Sequence, residues 1–99
     1  MNIQALMKQA QSLQKDMMKV KEEIDKKEFI GESSLVKVTV TGDKKVVRVE
    51  ISKDSELKQD DLEILEDMVV VAMNDAFTKI DKELEIKMGK FGNAIPSFF

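Results

Sequence analysis

The sequence lacks the residue types on which most enzyme and metal sites depend. Its 99 residues include no cysteine and no histidine, which excludes disulfides, thiolate metal sites and the commonest general base. The four glycines are scattered at positions 31, 42, 89 and 92, so the chain has no glycine-rich phosphate loop. We therefore expect no catalysis, no metal site, no cofactor and no small-molecule substrate.

Aromatic residues and long apolar stretches are also scarce. Phenylalanine occurs five times, whereas tryptophan and tyrosine are absent. A chain of this length forms a single domain, here 1–99, and buries only somewhat more than ~60% of its surface. No stretch approaches the ~20 apolar residues that span a bilayer, and the start does not read as a signal peptide. We expect a cytoplasmic protein with a small core, which a second copy would enlarge.

Charge is distributed unevenly along the chain, although its net value is only -3. Residues 1–21 hold four lysines against one aspartate, or +3, and residues 54–67 hold seven acids against one lysine, or -6. The acidic segment contains a helix-start signal, because Asp60 can cap a helix and Glu63 follows three residues later. The acidity therefore has a structural explanation, and the start of the chain is basic.

Apolar spacing predicts two long helices. In the first, the apolar residues alternate at intervals of three and four, which gives a heptad seam over three repeats. The seam residues are Ile3, Leu6, Ala10, Leu13, Met17, Val20 and Ile24. With Asn2 as a favourable N-cap, this predicts a helix over about 2–27 that meets one partner helix. The alternative is an ordinary amphipathic helix lying on a sheet.

A second helix is predicted over about 60–88, with Gly89 as its stop. Its middle, 68–73, is apolar on all sides and must therefore be covered on more than one side.

Between the helices, Phe29 and Ile30 before Gly31 indicate a short strand or extended entry over about 28–31. β-Branched residues then recur at period two and predict strands over about 35–41 and 45–51. Their apolar face is expected to pack on a helix, and its residues are Val36, Val38, Val40, Val47, Val49 and Ile51. A two-residue turn at Gly42-Asp43 pairs Lys37 with Arg48, whereas a turn one step later pairs Lys37 with Glu50. Like charges directly opposite are mildly destabilising, and the sequence leaves both registers open.

The outer face of the first helix carries basic and amide side chains. With Ile3 at heptad position a, Lys8 and Lys15 fall at f, ~10.5 Å apart, and Gln4 and Gln11 fall beside them at b. Such side chains are typical ligands for phosphates and base edges, although a solvated outer face is the commoner origin of the pattern. Further lysines, interleaved with acids, stand near the end of the second helix at Lys79, Lys82 and Lys87.

Several stretches resemble the YbaB/EbfC family of bacterial nucleoid-associated proteins. The segment "NIQALMKQAQSLQKDM" resembles the family's opening, "GESSLVKVTVTG" and "VRVEI" its central strands, and "LEILEDMVVVAMNDAFTKI" its second long helix. The resemblance covers nearly the whole chain in order. It implies an α+β fold of a long helix, a small antiparallel sheet of two or three strands and a second long helix. The sequence itself adds a short apolar tail over 89–99. The resemblance also implies an intertwined homodimer whose projecting helices bind DNA.

On this resemblance the protein is a non-enzymatic DNA-binding protein of the bacterial nucleoid that contacts the DNA backbone, bridges or bends DNA and affects gene expression. Its expected partners are DNA and a second copy, with no membrane. The expected DNA contacts are Gln4, Lys8, Gln11, Lys15, Lys79, Lys82 and Lys87. The expected core or dimer residues are Leu6, Leu13, Val38, Val49, Leu65, Met68, Val69, Ala72 and Met73. The alternative is a small chaperone-like or protein-interaction module of helix-hairpin-helix type, as in prefoldin subunits.

Overall fold

The structure, a computed structural model, describes residues 2–53 and 56–91, which form two long helices and a three-stranded antiparallel sheet. In chain order the elements are α1 (Ile3–Lys26), β1 (Glu28–Ser33), β2 (Val36–Thr41), β3 (Val46–Ile51), a 3-10 turn (Gln59–Asp61) and α2 (Leu62–Gly89). The strand order is β1-β2-β3. This confirms the predicted α+β fold. Residues 92–99, most of the predicted apolar tail, lie outside the described part.

A side-chain cap fixes the start of α1, whereas a 3-10 turn precedes α2. The Asn2 side chain accepts a hydrogen bond from the Ala5 N–H at 3.3 Å, which confirms Asn2 as the N-cap of α1. At α2 the expected cap is wrong. Asp61, not Asp60, precedes the helix, and its carboxylate accepts the Lys58 N–H at 2.9 Å. The intervening 3-10 turn places the start of α2 at Leu62.

The core lies between α2 and the first two strands. Val38 and Val40 of β2 are fully buried, as are Ala72, Ala76 and Ile80 of α2, so the predicted apolar face is confirmed for β2. For β3 the prediction is wrong, because every residue of that strand is exposed. The physical reason is the position of α2, which packs on β1 and β2 and leaves the apolar side chains of β3 without a helix above them.

The hairpin between β2 and β3 adopts the register in which Lys37 lies opposite Glu50. The like-charge pair of Lys37 with Arg48 is thereby avoided, since Arg48 lies opposite Thr39. Next to this pair the register shifts, and Val47 has no partner on β2. The extra residue is a β-bulge, which shifts the pairing by one residue between Val40 opposite Val46 and Thr39 opposite Arg48.

The turn of this hairpin is a three-residue loop rather than the predicted two-residue one. The Lys44 N–H donates to the Thr41 carbonyl at 2.8 Å, and Lys44 takes the left-handed conformation with φ 63, as in a type I turn followed by a left-handed residue. Gly42 has a different role. A Cβ there would lie 1.8 Å from the Ile24 carbonyl oxygen, so the glycine lets the turn lie against the end of α1.

The molecule is strongly elongated. Its radius of gyration is 19.3 Å, against ~13 Å for a compact chain of this length. Among the described residues, only the C-terminal half of α1 packs on the rest of the protein, through Met17 and Ile24, whereas residues 2–16 are all exposed. We call residues 2–16 the α1 arm. Neither described helix is long and apolar enough to cross a membrane.

Candidate nucleic-acid interface

Four lysines form a straight line along the outer face of α1, at Lys8, Lys15, Lys19 and Lys26. Their intervals of seven, four and seven residues place them within about 20° of one line, since an α-helix turns about 100° per residue. The line is ~27 Å long at 1.5 Å per residue. All four side chains are exposed, on the face opposite the apolar seam. We call this set the α1 lysine stripe.

The ammonium groups of the α1 lysine stripe are free of carboxylate partners within residues 2–53 and 56–91. The ion pairs at this end of the molecule use other lysines, namely Lys21 with Asp25 and Lys27 with Glu83. Free, solvated ammonium groups can approach phosphates without first breaking an ion pair. Glu22 lies about 40° to one side, between Lys19 and Lys26, so the positive potential is strongest from Lys8 to Lys19.

The predicted contact residues of the first helix lie together on one face. Gln4 and Gln11 are exposed on the α1 arm, about 40–60° from the line through Lys8 and Lys15. The sequence prediction did not include Lys19 and Lys26. Their signal was present in the heptad pattern, where position c adjoins position f on the outer face.

The lysines predicted on α2 have more mixed surroundings. The Lys79 ammonium donates to the Ile30 carbonyl at 2.6 Å and lies 3.4 Å from an Asp75 carboxylate oxygen. Lys82 lines an open groove together with Lys27, Glu83 and other side chains, and Lys87 is exposed. Lys79 therefore holds α2 to β1 in this structure, and a phosphate would have to compete with those contacts.

The outer edge of β1 is covered by side chains of α2. The Glu32 N–H donates to an Asp75 carboxylate oxygen at 3.1 Å, while Lys79 occupies the Ile30 carbonyl. The bond from Glu32 and the nearby lysines hold the pKa of Asp75 below its ordinary value. Edge strands with unpaired backbone groups invite pairing with another chain. In the described part of the chain, the outer edge of β3 has no comparable cover, so only that edge is open.

The exposed apolar side chains of β3 and of the first half of α2 form the second notable surface, which we call the β3–α2 patch. Their exposed fractions lie between 39% and 57%. The residues are Val46, Val47, Val49, Ile51, Leu62, Ile64, Val70 and Val71. Exposed apolar residues in this number on two elements are candidates for an interaction surface.

The residues predicted for the core or a dimer interface fall into three groups. Val38 and Ala72 are fully buried in the core. Four residues of α2 are partly buried against it, namely Leu65, Met68, Val69 and Met73. The remaining three, Leu6, Leu13 and Val49, are exposed: the first two on the α1 arm and the third in the β3–α2 patch.

These observations define a small α+β protein in which an antiparallel sheet comes between two long helices in the chain order. One face of the first helix is cationic. Within the described ranges, no group of three or more acidic residues could hold a metal ion. The chain belongs to the YbaB/EbfC DNA-binding family, whose family model matches residues 1–95.

Individual relatives agree with this assignment. A nucleoid-associated protein of Enterococcus faecalis is 42% identical over 99 residues, covering 98% of this chain and 94% of the relative. A nucleoid-associated protein of Streptococcus thermophilus is 45% identical over 98 residues, covering 97% and 98%. The crystal structure of an uncharacterized protein from Helicobacter pylori has the same fold, with a TM-score of 0.73 at 17% identity, over 93% of this chain and 99% of that one.

Proposed function

We propose that this protein is a nucleoid-associated DNA-binding protein of the bacterial cytoplasm, and that it contacts the DNA backbone through the α1 lysine stripe. The observation that carries the proposal is the alignment of four exposed lysines without ion-pair partners, within the described residues, on a helix that projects from the body. Family membership and the names of the relatives support it.

The dimensions of the stripe fit a nucleic-acid backbone. Its ~27 Å length corresponds to about eight base-pair steps along the axis of a DNA duplex, at 3.4 Å each. Lysines act as point charges on flexible stems, so they reach phosphates without selecting a base sequence. The net charge of -3 opposes association at long range. Binding should therefore be modest in affinity and fall steeply with salt, because it rests on counterion release.

Neutralising the centre of the stripe should weaken DNA binding and flatten its salt dependence. We expect Lys15→Gln with Lys19→Gln to lower the slope of log K against log salt by ~0.9 for each lost phosphate contact. The measurement is fluorescence anisotropy with a labelled duplex of about 30 base pairs and arbitrary sequence, long enough to exceed the stripe, titrated at several salt concentrations. Circular dichroism checks that the exposed substitutions leave the fold intact.

The matched comparison is Lys82→Gln with Lys87→Gln, which makes the same charge change on α2. If the α2 pair reduces binding and slope as much as the α1 pair, the contact does not belong to the α1 lysine stripe in particular. If the unmodified protein fails to bind the duplex even at low salt, the proposed function itself is wrong.

We also propose that two copies join through the β3–α2 patch. The side chains of Asp75 and Lys79 close the edge of β1, so the sheet can extend only at β3. Apolar residues on both β3 and α2 are exposed, and burying them would supply the driving force for association. The dimer would carry two α1 arms and hence two lysine stripes. Two arms can hold two DNA segments together or bend one segment between them, which gives a physical route to compacting DNA and altering gene expression.

A charge placed in the β3–α2 patch should separate the two copies without unfolding either. Val71→Glu changes a side chain that is already exposed in the single chain. We expect at least about tenfold weaker dimerisation, equivalent to ~1.4 kcal/mol, because the interface would bury an unpaired carboxylate. Light scattering after size exclusion, over a range of protein concentrations, gives the mass.

Ile86→Glu is the control for this test, since Ile86 is an exposed apolar residue of the same helix outside the patch. It should leave the mass unchanged. A parent protein that remains a single copy at micromolar concentration contradicts the dimer, and equal dissociation by both variants contradicts the assigned interface.

A further inference from the structure

Backbone hydrogen bonds show which residues of β3 face its open edge. The Ser52 N–H donates to the Leu35 carbonyl at 2.8 Å, and this pair continues the register of the β2–β3 ladder. In such a ladder the backbone groups of every second residue point toward the partner strand. Glu50 and Arg48 therefore direct their backbone groups at β2. The N–H and C=O of Val49, which lies between them, point outward to the open edge.

The side chains of β3 separate charge from apolar surface. Arg48 and Glu50 lie on one face of the strand, where the Arg48 Nε is 2.8 Å from a Glu50 carboxylate oxygen and both side chains are more than half exposed. Val49 lies on the other face, because it is opposite the buried Val38. A strand added at the open edge would therefore meet charge and valine at alternate positions.

A second copy of β3 matches this edge in one register. We propose that the two β3 strands of the dimer pair antiparallel about a twofold axis at Val49, so that Arg48 of each copy lies opposite Glu50 of the partner subunit. The two Val49 residues would exchange both backbone hydrogen bonds, and each arginine would lie between two carboxylates. This inference deepens the proposed dimer and rests on it.

The neighbouring registers are less favourable. A twofold axis at Arg48 or at Glu50 places two identical charges opposite each other, at positions where the paired Cα atoms are only ~4.5 Å apart. An axis at or before Val47 puts the bulge inside the paired segment. An axis at Ile51, the last residue of β3, pairs the strand mostly with residues beyond its end. The axis at Val49 instead gives two pairs of opposite charge.

This arrangement also keeps like surfaces together. A twofold axis perpendicular to the sheet places both α2 helices on one face of a six-stranded sheet, with Val49 and Ile51 of both copies between them, since α2 packs on β1 and β2. The four charged side chains lie on the other face. The apolar face would then drive association, and the charged face would select the register.

The absence of cysteine makes the register directly measurable. Single-cysteine variants across residues 48–51 locate the twofold axis, because a residue on the axis meets its own copy. For Val49→Cys the two Cα atoms would be ~5.5 Å apart, within disulfide range, whereas Arg48→Cys or Glu50→Cys would place them ~8 Å apart, beyond it. We expect Val49→Cys to cross-link at least about tenfold faster under mild oxidation, measured by non-reducing electrophoresis. Val46→Cys, on the same strand beyond the bulge, gives the rate of random collision.

Exchanging charges tests the same register without a cross-link. Arg48→Glu makes both charged positions of β3 acidic and Glu50→Arg makes both basic, so each variant alone should dimerise about tenfold more weakly. In an equimolar mixture every acidic position lies opposite a basic one, and light scattering should again give the mass of the dimer. Circular dichroism checks the fold of each variant. A mixture that stays dissociated overturns the proposed pairing.

The possible results separate this proposal from the dimer on which it rests. If the parent has the mass of a dimer but cross-links fastest at Arg48, Glu50 or Ile51, the register is overturned and the dimer stands. The same holds if Val49→Cys is no faster than Val46→Cys. A parent that remains a single copy overturns both. DNA contact by the α1 lysine stripe is measured independently, by the salt titration.

Discussion

Val38→Asp is expected to abolish the cooperative unfolding transition of the protein. Val38 is fully buried in the central strand, between Gly31 of β1 and Val49 of β3. The substitution loses ~1.5–3 kcal/mol of apolar burial and leaves a carboxylate unpaired in an apolar layer, at a further cost of several kcal/mol. A small domain is stable by only ~5–15 kcal/mol. Thermal and urea unfolding followed by circular dichroism at neutral pH provide the measurement.

The same change at Val47 is the control for Val38→Asp. Val47 is the bulged residue of the neighbouring strand and is exposed, so Val47→Asp should leave the fold of a single chain nearly unchanged. Because Val47 belongs to the β3–α2 patch, this control also separates loss of the fold from loss of the dimer. A Val38→Asp protein that melts as cooperatively and as stably as its parent would show that the assignment of the buried face is wrong.

The elements that the sequence predicts well are those set by local periodicity. The three-four spacing of the first helix and the period-two valines of β2 locate their elements because helices and strands repeat at 3.6 and 2 residues. The face that carries Lys8 and Lys15 follows from the same periodicity. DNA contact by these lysines stays a prediction, although their exposure agrees with it.

The features that the sequence does not predict depend on distances between remote segments. The bulge at Val47 and the three-residue loop before β3 together select one of two registers that are locally equivalent. The exposure of Val49 follows from where α2 crosses the sheet, which no local pattern encodes. Likewise, Lys79 looks like an ordinary surface lysine until the fold places its ammonium beside the Ile30 carbonyl. Each of these is a tertiary contact, and together they decide which surfaces remain open.

Gly31→Ala is expected to destabilise the protein strongly although it adds a single methyl group. The added Cβ would lie 1.9 Å from the Ala72 carbonyl oxygen, 2.6 Å from the Ala76 nitrogen and 2.9 Å from the Ala76 Cβ. The first two are backbone atoms of α2, so the clash is relieved only if the whole helix moves away from β1. Overpacking typically costs ~1–3 kcal/mol, and we expect this change to reach or exceed the upper end because α2 packs along both β1 and β2. Urea unfolding gives the difference in stability.

Two further variants show whether the close approach of the two backbones is the cause. Gly89→Ala, at the end of α2, meets nothing within 4 Å and should be neutral or stabilise by up to ~1 kcal/mol, since alanine favours a helix over glycine. Ala76→Gly combined with Gly31→Ala removes the side-chain clash at 2.9 Å but leaves the backbone clash at 1.9 Å. We therefore expect no recovery in the double variant. Full recovery would locate the constraint in the Ala76 methyl group, and a Gly31→Ala protein as stable as its parent would show that β1 and α2 do not pack this closely.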